Sequence, residues 1–250
     1  MTFEQMTRRV HAFGVADASV ARIRWAKALS VVGVVVYNWW IVVPFVPGMM
    51  PSVNGFFSDL EASGQPHAGL LGDADMLAGV LMVTALLLRG SHAGQGVRGE
   101  WKWMVTFGVA GMVGGRYPYY CSEGLSATCR HLEWRLKLPA HHYVHVATGI
   151  AEFALLTGAA VIAMRRTDHD GSVEARTFRG VVGLLVLAYP LLGVAYLTDR
   201  LGTFVEPIFF VAFTLMLLME VYEPIDRGRP SSASSGSALG LIPPAPVSAS

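Results

Sequence analysis

The run 141–145, His-His-Tyr-Val-His, has the residue types and spacing in this sequence that best suit chemistry. His141 and His145 are four residues apart, so their imidazoles share one face if a helix starts after Pro139. Glu152 continues that face inward, and a carboxyl group so deep in an apolar stretch should face other helices rather than lipid. The pattern predicts one wall of a polar site built from histidine and carboxylate.

Polar residues in other connections should lie at the same level, because they flank apolar segments that run side by side. They come from the segments 58–75 and 199–206. The resulting candidates are Ser58, Asp73 and Asp75 for catalysis, His67, His141 and His145 for a metal, and Asp59, Glu152, Asp199 and Glu206 for the lining of a shared cavity.

Zinc is the metal that such a group would suit, since imidazole and carboxylate are its ligands and an open position would activate water. Activated water beside acyl chains predicts a hydrolase of lipid amides or esters. Three readings remain open: this hydrolase, a non-enzymatic protein that binds a lipid headgroup, and a proton-coupled small transporter that uses Glu152 and Glu206. Histidine and aspartate at helix ends also cap helices or pair with arginine, which requires no metal.

The elements that must position these residues are membrane-spanning helices. Of the 250 residues, 53% are hydrophobic and only 15% are charged, which is too apolar for a soluble domain. Each crossing needs about 20 apolar residues. The sequence therefore predicts an all-α bundle of six transmembrane helices. The apolar runs are 28–46, 69–88, 103–115, 146–164, 181–197 and 204–219.

The basic residues predict how this bundle is oriented. Six spans leave only five of the 19 lysines and arginines on one side, and short basic loops stay in the cytoplasm. Both termini are thus expected inside the cell, in a multi-pass protein of the bacterial inner membrane. The five residues on the other side are Arg116, Arg130, Arg135, Lys137 and Arg200.

The two ends of the chain are expected to lie outside the transmembrane domain, residues 28–222. Residues 1–27 mix apolar and basic positions, which suits either a helix on the inner membrane surface or a solvated tail. Residues 223–250 are mostly Ser, Ala, Gly and Pro, which predicts a disordered cytoplasmic tail. A net charge of +1 gives no reason to expect nucleic acid as a partner, so the expected partners are membrane lipids.

The only two cysteines, Cys121 and Cys129, fall in the long outer connection, residues 116–140. The outer side of an inner membrane is oxidising, so we expect a disulfide that stabilises this loop by about 2–3 kcal/mol. Two free thiols or a metal pair are the alternatives. The spacing excludes a CxxC motif.

Across residues 28–222, the chain resembles an actinobacterial branch of a six-span bacterial family known as domain of unknown function nine-nine-eight. The residues that carry the resemblance are Ser58-Asp59-Leu60, Tyr117-Pro118, Cys121, Cys129 and the histidines that open the fourth span. The family is also distantly similar to the ceramidase and progestin-receptor-like hydrolases, which implies a zinc site. We expect a membrane protein of unknown activity that handles a lipid at the outer leaflet, and whether it is an enzyme stays open.

Overall fold

The computed structural model describes residues 3–49, 55–90, 99–167, 171–198 and 200–222, with the backbone alone for residues 3–19. The described residues contain helices and connecting turns but no strand. The α-helices are α1 Phe3–Tyr37, α2 Ala68–Gly90, α3 Gly99–Arg116, α4 Ala127–Trp134, α5 Ala140–Thr167, α6 Val173–Thr198 and α7 Gly202–Tyr222.

Four of these helices, α2, α5, α6 and α7, are long and apolar enough to cross a membrane. A fifth crossing is possible if the end of α1 and the bent segment Trp39–Phe45 form one span. The remaining predicted span corresponds to α3, whose eighteen residues include Glu100, Lys102 and Arg116. The all-α fold is therefore confirmed, and four to five helices among the described residues are long and apolar enough to cross a membrane.

The first apolar run does not stay α-helical to its end. The Asn38 side chain donates hydrogen bonds to the Val34 carbonyl and to Thr214 Oγ1, which fixes the end of α1 against α7. Two short 3₁₀ turns follow, at a bend of 45°. The second turn begins at Val43, and Pro44 is its second residue, where the missing N–H costs no helical hydrogen bond. The bend brings this segment over the end of the bundle.

Helices α2 and α3 cross at closely spaced glycines. A Cβ atom added at Gly115 would lie 2.5 Å from the Gly72 carbonyl oxygen, and one at Gly79 would lie 2.7 Å from the Gly108 oxygen. Only glycine permits these backbone contacts, and small residues are the common means by which helices pack in lipid. The contact fixes the pair of helices that carries Asp75 and one wall of the site.

The core is aromatic and aliphatic, and many apolar side chains face outward. Phe107 and Phe213 stack with ring centroids 4.3 Å apart, and Phe209 is 1% exposed beside them. On the outside of the bundle, Phe45 is 81% exposed and Leu187 is 71% exposed. An outer surface of this kind suits contact with lipid chains.

The bundle has two chemically different ends. At one end, which we call the basic end, Arg166 forms ion pairs with Glu100 at 2.6 Å and Glu174 at 3.0 Å. Arg89 donates to the Val221 carbonyl oxygen at the same end. The other end, called the loop end, holds the 3₁₀ turn Phe57–Glu61, helix α4 and its flanking loop. The ends of α2, α5 and α7 and the starts of α3 and α6 therefore lie together at the basic end.

The structure describes most of the predicted N-terminal segment but not the predicted C-terminal tail. Helix α1 begins at Phe3 and continues past residue 27 without a break, so the first segment and the first span share one helix. Residues 223–250, predicted to be a disordered tail, lie outside the described residues.

Candidate functional site

A cavity of about 360 Å³ lies at the loop end of the bundle, and acidic side chains dominate its polar lining. Among the described residues that line it, none is lysine or arginine. Aromatic groups, including Tyr37 and Tyr119, occupy much of the remaining wall. The six carboxyl groups are those of Asp59, Glu61, Asp75, Glu123, Glu152 and Glu206.

Glu206 ties the last helix to the 3₁₀ turn. Its carboxylate accepts the backbone N–H of Phe57 and lies 3.3 Å from the backbone nitrogen of Ser58. Beside it, Thr203 Oγ1 donates to the Gly55 carbonyl oxygen at 2.7 Å. Glu206 is 4% exposed, so these amides supply the polar contacts that a buried carboxyl group requires.

Asp59 joins the 3₁₀ turn to the loop between α3 and α4. Its carboxylate accepts the Ser122 hydroxyl and the Phe56 backbone N–H, both at 2.9 Å. Burial raises the pKa of Asp59 above its usual value, although these hydrogen bonds oppose the rise. A Cβ atom added at Gly124 would lie 2.5 Å from the Asp59 Oδ2 atom, which explains why the loop has glycine there.

Glu61 and Asp75 form a hydrogen-bonded carboxyl pair across the 3₁₀ turn and α2. Trp39 Nε1 donates to Asp75 Oδ1 at 2.9 Å, so the segment after α1 also takes part. Burial raises the pKa of Glu61 well above its usual value, and the negative charge of Asp75 adds to the effect. A protonated Glu61 can therefore donate to Asp75, which lets two acids lie side by side without repulsion.

A second acid pair joins Glu123, in the loop between Cys121 and Cys129, to Glu133 of α4. Burial, followed by a hydrogen bond to Glu133, raises the pKa of Glu123 to about 9. Burial alone would raise the pKa of Glu133. Hydrogen bonds to His142, Glu123 and Tyr196 outweigh this effect and lower its pKa to about 2. Tyr196 donates to Glu133 at 2.7 Å, and His142 Nε2 lies 3.3 Å from the Glu133 Oε2 atom. One proton is thus held on Glu123 while Glu133 stays ionised.

Glu123 has one oxygen that no neighbour satisfies. The side chain lines the cavity and is 8% exposed, and its Oε2 atom has no hydrogen-bond partner among the described residues. An unsatisfied buried acceptor costs about 1–3 kcal/mol. The cavity therefore contains a polar atom that a donor from a ligand would stabilise.

One ring nitrogen of His145 faces two backbone carbonyl groups. Its Nδ1 atom lies 3.1 Å from the Gly114 carbonyl oxygen and 3.0 Å from the Tyr117 oxygen, which requires a proton on Nδ1. The Tyr119 ring packs on the imidazole at 4.0 Å between centroids. These contacts fix the ring in the cavity wall and leave Nε2 as its acceptor when the ring is neutral.

Glu152 lies opposite the glycines of α3. Its Oε1 atom is 3.5 Å from the position of a Cβ atom added at Gly114 and 3.8 Å from one added at Gly111, which are ordinary van der Waals distances. The described residues give its side chain no hydrogen bond or ion pair. Its carboxyl group is thus directed into the cavity, as the sequence predicts for an acid at this depth.

The cavity brings together many of the residues predicted from the sequence, but not all of them. His141 packs on the Tyr120 ring at 6.0 Å, whereas His67 and Asp73 are exposed and do not line the cavity. Asp199 lies outside the described residues. The predicted residues that line the cavity are Ser58, Asp59, Asp75, His145, Glu152 and Glu206.

The predicted metal ligands do not converge. Among the described side chains, no group of three or more His, Cys, Asp or Glu residues is arranged to hold a metal ion. His145 lines the cavity while His67 and His141 lie elsewhere. The zinc hypothesis therefore gains no support from the arrangement of these side chains.

The disulfide prediction is confirmed, since Cys121 and Cys129 are bonded with their Cα atoms 6.0 Å apart. The bond closes the loop that carries Glu123. The sequence reasoning missed Glu123, Glu133 and His142. A signal for Glu123 existed in its position between the two cysteines, because a short cross-linked loop must turn some of its side chains inward.

Comparison with protein families identifies one match, to the family described as "Protein of unknown function (DUF998)", over residues 28–222. The match covers most of the chain and all the helices that build the cavity, so the protein belongs to this family. Comparisons with curated proteins and with solved structures find no significant match. The similarity to ceramidase-like hydrolases and the actinobacterial branch stay predictions.

Proposed function

We propose that this DUF998 protein crosses the cell membrane six times, with both termini in the cytoplasm, and binds a lipid of the outer leaflet in the loop-end cavity. The main support for this proposal is that a single cavity has a carboxyl-lined interior and an apolar side wall. Ile150 lines that wall and is 64% exposed, so the cavity meets the lipid-facing surface there. A lipid headgroup fits the interior while its chains remain in the bilayer.

The size of the cavity supports a headgroup as its occupant. Small ligands occupy pockets of about 300–1,000 Å³, and this cavity lies near the lower limit of that range. Two acyl chains need more room than the cavity offers. The lipid would therefore be held by its polar part, between α5 and α6.

The geometry favours binding over the two alternative functions. A zinc-dependent hydrolase needs converging ligands, and the described residues offer no such group. A proton-coupled transporter needs ionisable groups along the whole path. Here Phe107, Phe209 and Phe213 form an apolar layer between the cavity and the basic end.

The side wall provides the variant that tests lipid binding. Gly193 lines the cavity on α6, and an added Cβ atom would meet nothing within 4 Å. Gly193→Leu should therefore block the opening without disturbing the fold. Gly183→Leu is the matched control, because Gly183 lies on the same helix, has equally open surroundings and does not line the cavity.

The measurement is the amount of phospholipid that co-purifies with the protein in mild detergent, by mass spectrometry. We expect wild type and Gly183→Leu to retain about one lipid per chain and Gly193→Leu to lose most of it. Equal lipid content in all three proteins, or none in wild type, would contradict lipid binding in this cavity.

A further inference from the structure

We propose that the ligand of the loop-end cavity carries a protonated primary amine, which the carboxyl groups of Glu152 on α5 and Glu123 in the disulfide loop receive. This inference builds on the proposed function and names the chemistry of the bound group. It starts from the imbalance of charge, because six carboxyl groups line the cavity and no lysine or arginine among the described residues does.

The acids are not all occupied with one another. Glu206 and Asp59 accept backbone amides, and Glu61 pairs with Asp75. Glu152 and Glu123 differ, since the first has no hydrogen bond from the described residues and the second has an unpartnered Oε2 atom. That oxygen belongs to a side chain only 8% exposed. It is a buried acceptor that lacks a donor within the cavity.

The required donor should be cationic. A neutral hydroxyl group would satisfy one acceptor but would leave the buried acids without a counter-charge. A bare metal ion is disfavoured because the described side chains do not form a coordination group. An organic cation spans a wider space and fits a cavity of about 360 Å³.

Among organic cations, a primary ammonium group fits the acceptors best. It has three N–H donors, and the acceptor carboxyl groups belong to separate walls of the cavity. A quaternary ammonium group has no N–H and would leave Glu123 Oε2 unsatisfied. The aromatic groups Tyr37, Tyr119 and Tyr189, which also line the cavity, add favourable surfaces for either kind of cation.

The amine can belong to a lipid headgroup or to a small soluble molecule, and two arms of one experiment separate these sources. In the first arm, the purified full chain is incubated with an equal mixture of phosphatidylethanolamine, phosphatidylcholine and phosphatidylglycerol with identical acyl chains. Native mass spectrometry then counts the lipid that each protein molecule retains. In the second arm, ethanolamine alone is added and the midpoint of thermal unfolding is measured.

In the first arm, we expect wild type to retain phosphatidylethanolamine over phosphatidylcholine by at least about tenfold. Glu123→Gln and Glu152→Gln should each reduce this preference by about tenfold, since a carboxyl group can ionise beside a bound ammonium group whereas an amide of the same shape cannot. Glu174→Gln, at the basic end, is the control and should keep the wild-type preference. Two separate acids are tested so that misfolding of one variant does not decide the result.

The outcomes separate this inference from the proposed function. Retention of all three lipids in equal amounts, or a preference that survives both Glu→Gln changes, would overturn the amine while lipid binding stands. Stabilisation by ethanolamine without retention of any lipid would support the amine and overturn the lipid. Neither retention nor stabilisation would overturn both.

Discussion

The Glu206 carboxylate accepts the backbone N–H of Phe57, although the two residues are 149 positions apart in the chain. The contact joins the start of the last helix to the turn that follows the first span. It positions Ser58 and Asp59 in the cavity wall. The loop end therefore depends on a carboxylate that acts as a structural acceptor.

Replacement of Glu206 tests this contact. Glu206→Gln should lower the free energy of unfolding by about 1–3 kcal/mol, because the amide nitrogen cannot accept a backbone N–H and the remaining acceptor is uncharged. The midpoint of thermal unfolding in detergent measures the effect. Glu152→Gln is the comparison, since the described residues give the Glu152 carboxyl group no hydrogen bond. Equal midpoints for the two variants would contradict the structural role of Glu206.

The disulfide should stabilise the loop end measurably. Reduction of wild type is expected to cost about 2–3 kcal/mol, because the bond closes a short loop that holds Glu123 against the bundle. Thermal unfolding with and without reductant shows the change. The double variant Cys121→Ser/Cys129→Ser should already have the lower midpoint and should ignore reductant. A wild type that is equally insensitive would show that the bond contributes nothing.

The acid pair Glu123 and Glu133 predicts how stability depends on pH. The folded-state pKa of Glu123 is raised to about 9 from 4.5, so the folded chain binds a proton that the unfolded chain releases between these values. Stability should fall as pH rises through this interval. Glu133 acts in the opposite direction, since its pKa of about 2 makes stability fall only as the solution becomes more acidic than pH 4.5.

We assign the loss of stability at alkaline pH to Glu123, whose charged neighbours are Glu133, Asp59 and Arg130. Between about pH 6 and pH 9, the wild-type unfolding midpoint should decrease more steeply than that of Glu123→Gln, whose amide does not titrate. Thermal scans at several pH values compare the two slopes. Parallel curves would assign the dependence to other groups.

The crossing of α2 and α3 should not tolerate a methyl group. Gly115→Ala places a Cβ atom 2.5 Å from a backbone oxygen of Gly72, so we expect destabilisation of about 1–3 kcal/mol. Gly183→Ala is the control on α6, where open surroundings and higher helix propensity predict a gain of up to about 1 kcal/mol. Unfolding midpoints of the two variants should move in opposite directions. A stable Gly115→Ala protein would contradict the close crossing.

Six spans with both termini inside predict which end of the bundle faces outward. In a chain without its native cysteines, Ser63→Cys at the loop end should react with a membrane-impermeant maleimide in intact cells. Gly171→Cys, exposed at the basic end, should react only after the membrane is permeabilised. The reverse pattern would invert the orientation, and labelling of both sites in intact cells would refute the proposed number of spans.

Much of the fold could be predicted because the governing pattern is local. Runs of about 20 apolar residues specify α2, α5, α6 and α7, whatever surrounds them. The inward direction of Glu152 and Glu206 follows from the cost of a carboxyl group in lipid. The disulfide follows from two cysteines in one short connection. Each inference needs only residues that are close in sequence.

The details of the site could not be predicted in this way, because they depend on contacts between distant segments. The one-turn spacing of His141 and His145 suggested a pair, but α5 is rotated so that His142 and His145 are the buried histidines. The phase of a helix is set by its neighbours, here Glu133 and Tyr119. Glu123 reaches the cavity only because its loop folds over the bundle, and no periodicity encodes that path.

The distribution of cavity residues along the chain also sets the order in which the cavity can assemble during synthesis. Helices α2 and α3 are made before α7 and can pack at once through their glycine contacts. The amides of Phe57 and Ser58, however, have no acceptor until Glu206 of α7 has been synthesised. Until α7 is inserted, the loop end is an open polar surface, and a chain that stops before residue 206 should be recognised by quality-control proteases as incomplete.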